Sequence, residues 1–505
     1  MATKEKLVGS RDLLTPYGVE IMLDEKTISR VIEEVIKKLT KEQKSEGKVI
    51  PQRDISTGVE DGVFEEMEDA INAASAAQRA LVRLPLSIRE KIIQAIRDAC
   101  MNNRKEYAQM EWEETGLGRI EDNVRKIEAS CNVLGLEDLR PEIYMDDRGI
   151  SVIERIPYGV IASVNPVTNG APTIIFNSIM MIAGGNTVVN NPHPKTRLVS
   201  AKVVRDINKA VIHAGGPPNT VCCVEEPSVP SAQFLMTHPL VKLIAVTGGH
   251  GVVNFATKTG KRVIAGGPGN PPVVVDETAD LEHAAKCIIE GASFSNCTPC
   301  ASEKEIFVVD SVADELKKFL KKHGAYEISA SEGEALVKNI FKDTGEPGKP
   351  GVINMDFIGK PPSFILDSIG LKVGDDIKIV ILEANYDHPL VWTEQIMPVL
   401  PLVRCIDADE AIRRAVKAEQ GLGHTMIMHS NDLNNLSKMA SMADACAFVK
   451  NGSSLASVGV AGAGYISFHI ATDGDGHTRP RTFTRARRCT MANDFRMRFG
   501  ADFTS

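Results

Sequence analysis

A chain of 505 residues is longer than one hydrophobic core usually organises, so at least two domains are expected, and 43% hydrophobic residues is ordinary for a globular protein. The net charge of −8 argues against general affinity for nucleic acid or anionic membranes, and no apolar stretch is long and uninterrupted enough to span a bilayer. The start, Met1-Ala2-Thr3-Lys4-Glu5-Lys6, leads into polar sequence and not a secretory signal, and ten scattered cysteines suit reduced cytosolic thiols better than a disulfide framework.

The first predicted element is an amphipathic helix within residues 1–50, where Ile28, Val31, Ile32, Val35, Ile36 and Leu39 share one face between Arg30, Glu33, Glu34, Lys37 and Lys38. Residues 41–48 are a charged linker without apolar periodicity, so the helix is expected to be tethered and not part of the folded core. Helix-in-groove docking and packing on its own chain need the same apolar face. Further on, Ile150-Ser151-Val152-Ile153-Glu154-Arg155-Ile156 alternates like an exposed strand.

Val160-Ile161-Ala162-Ser163-Val164 reads as a buried strand, Asn165-Pro166-Val167-Thr168-Asn169-Gly170 as a tight loop, and residues 171–182 as an apolar helix ended by Gly184-Gly185-Asn186. Thr187-Val188-Val189-Asn190 is a second strand, which completes a strand-helix-strand unit. A second unit follows: the strand Leu243-Ile244-Ala245-Val246, the glycine turn Thr247-Gly248-Gly249-His250-Gly251, a helix over 252–258 and the strand Arg262-Val263-Ile264-Ala265. Such glycines let backbone approach a ligand, and a helix N-terminus favours an anion such as pyrophosphate, so these turns are nucleotide-site candidates. The loop Gly266-Gly267-Pro268-Gly269-Asn270-Pro271-Pro272 comes next.

Cys300 lies in a turn, Phe294-Ser295-Asn296-Cys297-Thr298-Pro299-Cys300-Ala301-Ser302, ahead of the apolar run Ile306-Phe307-Val308-Val309. A thiol at such a junction can be a nucleophile, although a buried structural thiol is the commoner case. Together with Cys297 it makes a C-x-x-C spacing, which alone suggests a thiol-disulfide oxidoreductase or half a zinc site. Against zinc, no second C-x-x-C or paired C and H ligands exist; against a thioredoxin-like role, the chain is several times too long.

Two strand-helix units, the glycine-proline loop and a cysteine about thirty residues later resemble the aldehyde dehydrogenase superfamily. The resemblance covers nearly the whole chain and is nearest to the coenzyme A-acylating branch that oxidises acetaldehyde or propionaldehyde in bacterial microcompartments. It is carried by Asn165-Pro166-Val167-Thr168-Asn169, Asn191-Pro192-His193-Pro194, Thr247-Gly248-Gly249, Cys300-Ala301-Ser302-Glu303-Lys304-Glu305, Thr393-Glu394-Gln395-Ile396-Met397-Pro398, Gly423-His424-Thr425 and Arg481-Thr482-Phe483-Thr484-Arg485.

The resemblance implies an α/β fold with a Rossmann-like NAD domain over 51–275, interrupted by an arm strand at 146–158, a catalytic α/β domain over 276–465 and an oligomerisation tail over 466–505. It implies that Cys300 attacks the aldehyde, that Asn169 and the Cys300 backbone N–H hold the oxyanion, and that NAD takes the hydride. Pro166, Thr168, Thr247, Gly248, Gly249 and Gly267 are expected on the cofactor side, with His193 at the adenosine ribose and Glu394 at the nicotinamide ribose. Asn191 stands where many members have lysine before the proline, and Cys297 where related enzymes have asparagine.

Hydrolytic members carry a glutamate in the loop that here reads Gly266-Gly267-Pro268-Gly269-Asn270. Its absence favours coenzyme A as acyl acceptor, because a thiol needs less base assistance than water. The same resemblance implies a homo-oligomer, dimer or tetramer, and a cytoplasmic enzyme inside a microcompartment, with the first helix docking on a shell protein. The arginine-rich, lysine-free tail (Arg479, Arg481, Arg485, Arg487, Arg488, Arg496, Arg498) suits fixed salt bridges or phosphate contacts. A disulfide between Cys297 and Cys300 under oxidation is the remaining redox reading.

Overall fold

The computed structural model describes residues 61–472 and 474–493. The expected N-terminal helix and linker, together with Arg496 and Arg498, lie outside the described residues. Two parallel sheets, a three-stranded antiparallel sheet and two two-stranded antiparallel ribbons organise the described residues. The first has six strands, in the order Val63–Phe64, Val221–Val224, Thr187–Asn191, Val160–Val164, Val241–Thr247 and Arg262–Gly266. Every residue of the Val160–Val164 and Thr187–Asn191 strands is buried, as expected of parallel strands covered by helices on both faces. The chain leaves Val160–Val164 toward one side and later returns to its other side as Val241–Thr247, so the two strands flank a topological switch point where open sheets bind ligands.

The helix Gly170–Ala183 is buried over its whole length, Ile174, Ile175, Phe176, Ile179, Met180, Met181 and Ile182 included. At about 1.5–3 kcal/mol for each such side chain, this burial makes the helix a fixed platform for the loop at its N-terminus. It ends at Gly184-Gly185, where Gly185 takes φ +83°, and Asn186 then ties three elements together. The Asn186 side chain accepts from the Tyr158 and Gly159 N–H groups (2.8 and 3.0 Å) and donates to the Met181 and Phe483 carbonyls (3.0 and 2.9 Å).

The second sheet has seven parallel strands, in the order Ala325–Glu327, Ile379–Glu383, Val399–Cys405, Glu305–Val309, Pro272–Val275, Thr425–His429 and Ala447–Lys450. Pro272–Val275 pairs only within this sheet, so the expected domain boundary at 275 falls one strand too late; the crossing lies in the loop after Gly266. The periodicity of the run could not reveal this, because a short apolar strand reads alike in either sheet.

The alternating segment near 150 forms Gly149–Pro157, paired antiparallel on one side with Glu142–Asp146 and on the other with Thr484–Ala492. The tail arginines make ion pairs here: Arg479 with Asp138, Arg481 with Glu142 and Arg487 with Glu154. Salt bridges engage these three.

Candidate active site

Four neighbouring strands of the second sheet deliver a group each from their amino ends. In spatial order, Glu394 precedes Val399–Cys405, Cys300 precedes Glu305–Val309, Gly269 precedes Pro272–Val275, and His424 precedes Thr425–His429. The first sheet contributes from its carboxyl ends: Asn169 after Val160–Val164, Gly248 and Gly249 after Val241–Thr247, and Gly267 after Arg262–Gly266.

Cys300 is half-buried, and its Sγ lies 3.0 Å from His424 Nε2. Burial pushes the thiol up to about 12, reinforced by the Glu394 carboxylate, while Lys304 and the backbone N–H groups of Cys300 and Ala301 pull the other way. Burial, aided by His477 and Lys304, holds the His424 imidazole down to about 3. The resting pair is therefore thiol and neutral imidazole. His424 Nδ1 lies 3.0 Å from Thr425 Oγ1, so a proton on Nδ1 donated to that hydroxyl leaves Nε2 free to accept from Cys300.

Glycine at 269 is a matter of space: a Cβ there would lie 2.6 Å from the Cys300 carbonyl oxygen and 2.9 Å from His424 Cγ. The Gly269 N–H donates to the Glu394 carboxylate, which burial pushes up and Lys304 holds back. Lys304 itself is 0% exposed and saturates its three N–H donors on the Cys297 carbonyl (3.0 Å), the Pro299 carbonyl (3.3 Å) and the Cys297 thiol (3.3 Å). Burial opposes its charge, but Cys297 and Glu394 outweigh that and its pKa is raised.

The turn that carries Cys300 is strained. Ser295, Asn296 and Cys297 take φ of 51°, 51° and 61°, a left-handed region that costs a non-glycine residue about 1–2 kcal/mol each. Asp122 Oδ2 accepts from the Ser295 N–H (2.8 Å), and Asn296 Nδ2 donates to the Gly359 carbonyl (2.9 Å). Cys297 and Cys300 are both free thiols, and the Cys297 thiol is fully buried.

Asn169 is half-buried at the N-cap of Gly170–Ala183, with φ −151° and ψ 53°; Thr173 Oγ1 donates to its carbonyl (2.5 Å). Buried Lys126 joins its loop to the Cys300 turn, with Nζ donating to the Thr168 carbonyl at 3.2 Å and to Thr298 Oγ1 at 3.5 Å. Pro166 and Thr168 are half-buried on the same loop.

On the cofactor side, Thr247 and Gly248 are half-buried and Gly249 is exposed. Gly249 caps the helix His250–Lys258 without a side-chain cap, and a Cβ on it would meet nothing within 4 Å. That open backbone and uncapped N-terminus fit a pyrophosphate. His193 Nδ1 accepts from the Lys195 N–H (3.1 Å), which places the proton of the neutral ring on Nε2, available as a donor. Asn191 is committed to the protein instead: its Oδ1 accepts from Ser231 Oγ (2.6 Å) and its Nδ2 donates to the Ser228 carbonyl (3.3 Å). Gly267 is half-buried, with Thr472 Oγ1 3.6 Å from where its Cβ would be. At Gly266 a Cβ would lie 3.0 Å from His469 Cδ2, so that ring fills the space a side chain would need.

The aldehyde dehydrogenase family profile matches residues 41–330. The chain belongs to that family. It is 43% identical over 445 residues to the acetylating acetaldehyde dehydrogenase EutE of Salmonella typhimurium, covering 88% of this chain and 95% of that one. The crystal structure of Rhodopseudomonas palustris propionaldehyde dehydrogenase with bound CoA and an acylated cysteine is 41% identical, with a TM-score of 0.83 over 86% of this chain and 99% of that one. A propionaldehyde dehydrogenase of the Clostridium phytofermentans fucose utilisation bacterial microcompartment is 39% identical, with a TM-score of 0.84 over 86% and 100%.

Within this aldehyde dehydrogenase, sequence reasoning left His424 and Lys304 without roles, although both stand in the quoted motifs. Gly423-His424-Thr425 showed only a histidine before an apolar run. No spacing rule connects it to a cysteine 124 residues earlier.

Proposed function

We propose that this chain oxidises a short aldehyde, acetaldehyde or propionaldehyde, with NAD and transfers the acyl group to coenzyme A. The observation that carries the reading is the 3.0 Å contact between Cys300 Sγ and a neutral His424. His424 takes the thiol proton as Cys300 attacks the carbonyl carbon, and the Asn169 amide and Cys300 N–H stabilise the oxyanion. When bound, NAD supplies the hydride acceptor; Glu394 and the Thr247-Gly248-Gly249 turn position it, with Pro166, Thr168, His193 and Gly267 lining its path. Loss of hydride leaves a thioester on Cys300. After the first proton has passed to solvent, His424 takes the coenzyme A thiol proton and returns it to the departing Cys300 sulfur.

The acceptor is coenzyme A and not water because the loop 266–270 carries no carboxylate, and His469 blocks a longer side chain at Gly266. Burial keeps that imidazole neutral, its pKa lowered to about 4. The test is NADH formation from a short aldehyde with and without coenzyme A, followed by mass analysis of the product. Acyl-CoA with turnover dependent on coenzyme A is expected; free acid at an undiminished rate without coenzyme A would instead identify a hydrolytic enzyme.

The enzyme acts as a homo-oligomer, dimer or tetramer, through the three-stranded arm, whose Ile143, Tyr144 and Met145 are exposed on this chain. It works in the cytoplasm inside a microcompartment, and the apolar face of residues 28–39 docks on a shell protein. Six aliphatic side chains at about 1.5–3 kcal/mol each suffice for weak docking once ordering costs are subtracted. An enzyme lacking residues 1–45 is expected to keep its specific activity and oligomer size but to lose co-sedimentation with shell proteins. Loss of activity or of soluble oligomer on truncation would assign the helix to the enzyme core.

A further inference from the structure

Residues on both sides of Asn169 are held by one buried acid and one buried base that the reaction does not consume. Glu111, from the helix Leu86–Thr115, is 3% exposed, and its Oε1 accepts from the Gly170 N–H at 2.6 Å. Lys126, from the helix Ile120–Cys131, is 3% exposed and donates to the Thr168 carbonyl and to Thr298 Oγ1. Thr168 and Gly170 are the two chain neighbours of Asn169, and Thr298 stands two residues before Cys300.

We propose that Glu111 and Lys126 are positioning residues that clamp Asn169 from both sides and fix its distance to the Cys300 turn, so that the oxyanion donors are assembled before the aldehyde arrives. The inference rests on the proposed thioester chemistry and deepens it.

Three observations favour a dedicated clamp over ordinary packing. Burying two ionisable groups is costly unless each has a specific partner, and here the partners found are loop backbone and a turn hydroxyl, at the very residues that flank the reacting groups. The Asn169 carbonyl is already engaged by Thr173 Oγ1 (2.5 Å), so the backbone ties on either side of it fall to Glu111 and Lys126. The turn that Asn169 must meet is in left-handed geometry, which an outside tie helps to hold in place.

The experiment compares full-length Lys126→Met, Lys126→Arg, Glu111→Met and Glu111→Gln, each alone and combined with Asn169→Ala. It measures kcat and KM for a short aldehyde at saturating NAD and coenzyme A, together with iodoacetamide alkylation of Cys300 without cofactor. Lys126→Met is expected to lower kcat about 10- to 100-fold, with KM and Cys300 alkylation within about threefold of wild type, and Lys126→Arg to recover part of the loss. Asn169→Ala alone should cost about 10²- to 10³-fold, and adding Lys126→Met to it less than about threefold more, because the lysine acts through Asn169.

Wild-type kcat in Lys126→Met, a loss that multiplies fully with Asn169→Ala, or alkylation that falls in step with kcat would each overturn the clamp. Should Lys126→Met not fold, Glu111→Met carries the same cycle, since it removes the acceptor for the Gly170 N–H, and Glu111→Gln, which keeps one, should recover part of the loss. The wild-type control separates the two readings. Absence of acyl-CoA there overturns the reaction, whereas an active wild type with an indifferent Lys126→Met overturns only the clamp.

Discussion

Replacing Cys300 by alanine is expected to abolish acyl-CoA formation, with a rate loss on the order of 10⁴ or more, whereas Cys297→Ala should keep most of the activity. Of the two, only Cys300 presents its sulfur to His424, at the amino ends of the strands. The Cys297 sulfur is fully buried and lies against Lys304 Nζ. Removing it deletes one of three acceptors of a buried ammonium, so Cys297→Ala should lose stability, about 1–3 kcal/mol, more readily than rate. Steady-state NADH formation, thermal melting and mass detection of an acylated protein distinguish the outcomes. A dead Cys297→Ala beside an active Cys300→Ala would reverse the assignment.

The local units were legible because parallel strands buried on both faces read as unbroken apolar runs. The expected strands at 160–164, 187–190, 243–246 and 262–265 agree within two residues at each end with Val160–Val164, Thr187–Asn191, Val241–Thr247 and Arg262–Gly266. The loops at their carboxyl ends followed from the same reading, which is why Asn169 and the Thr247-Gly248-Gly249 turn were visible as candidates. What stayed hidden depends on the order of strands in the second sheet. His424 meets Cys300 because Pro272–Val275 lies between the strands that follow each of them, and strand order is not written in any local period. The same holds for Lys126 and Glu111, which arrive on two helices whose sequences show only charged residues on amphipathic faces. Within the loop 266–272 nothing in the sequence singles out Gly269, whose missing Cβ leaves room for the Cys300 carbonyl and the His424 ring.

His424→Ala should separate the base from the nucleophile. With the thiol pushed up to about 12, thiolate is scarce at neutral pH, and its fraction grows about tenfold for each pH unit of increase below that value. Wild-type enzyme avoids this dependence because the uncharged His424 ring, 3.0 Å from the sulfur, takes the proton as the C–S bond forms and the attacking S–H becomes acidic. The variant is consequently expected to lose about 10³- to 10⁴-fold in kcat at neutral pH and to regain activity steeply toward alkaline pH, with a logarithmic slope near one, while the wild-type profile stays flatter. Added imidazole should restore part of the rate if it fits the vacated space. The measurement is kcat from about pH 6.5 to about pH 9.5 for both enzymes, with the Cys300 alkylation rate followed over the same range. A variant whose profile runs parallel to that of the wild type, at nearly full activity, would remove His424 from the proton path and leave the Cys300 thiol to ionise by solvent alone.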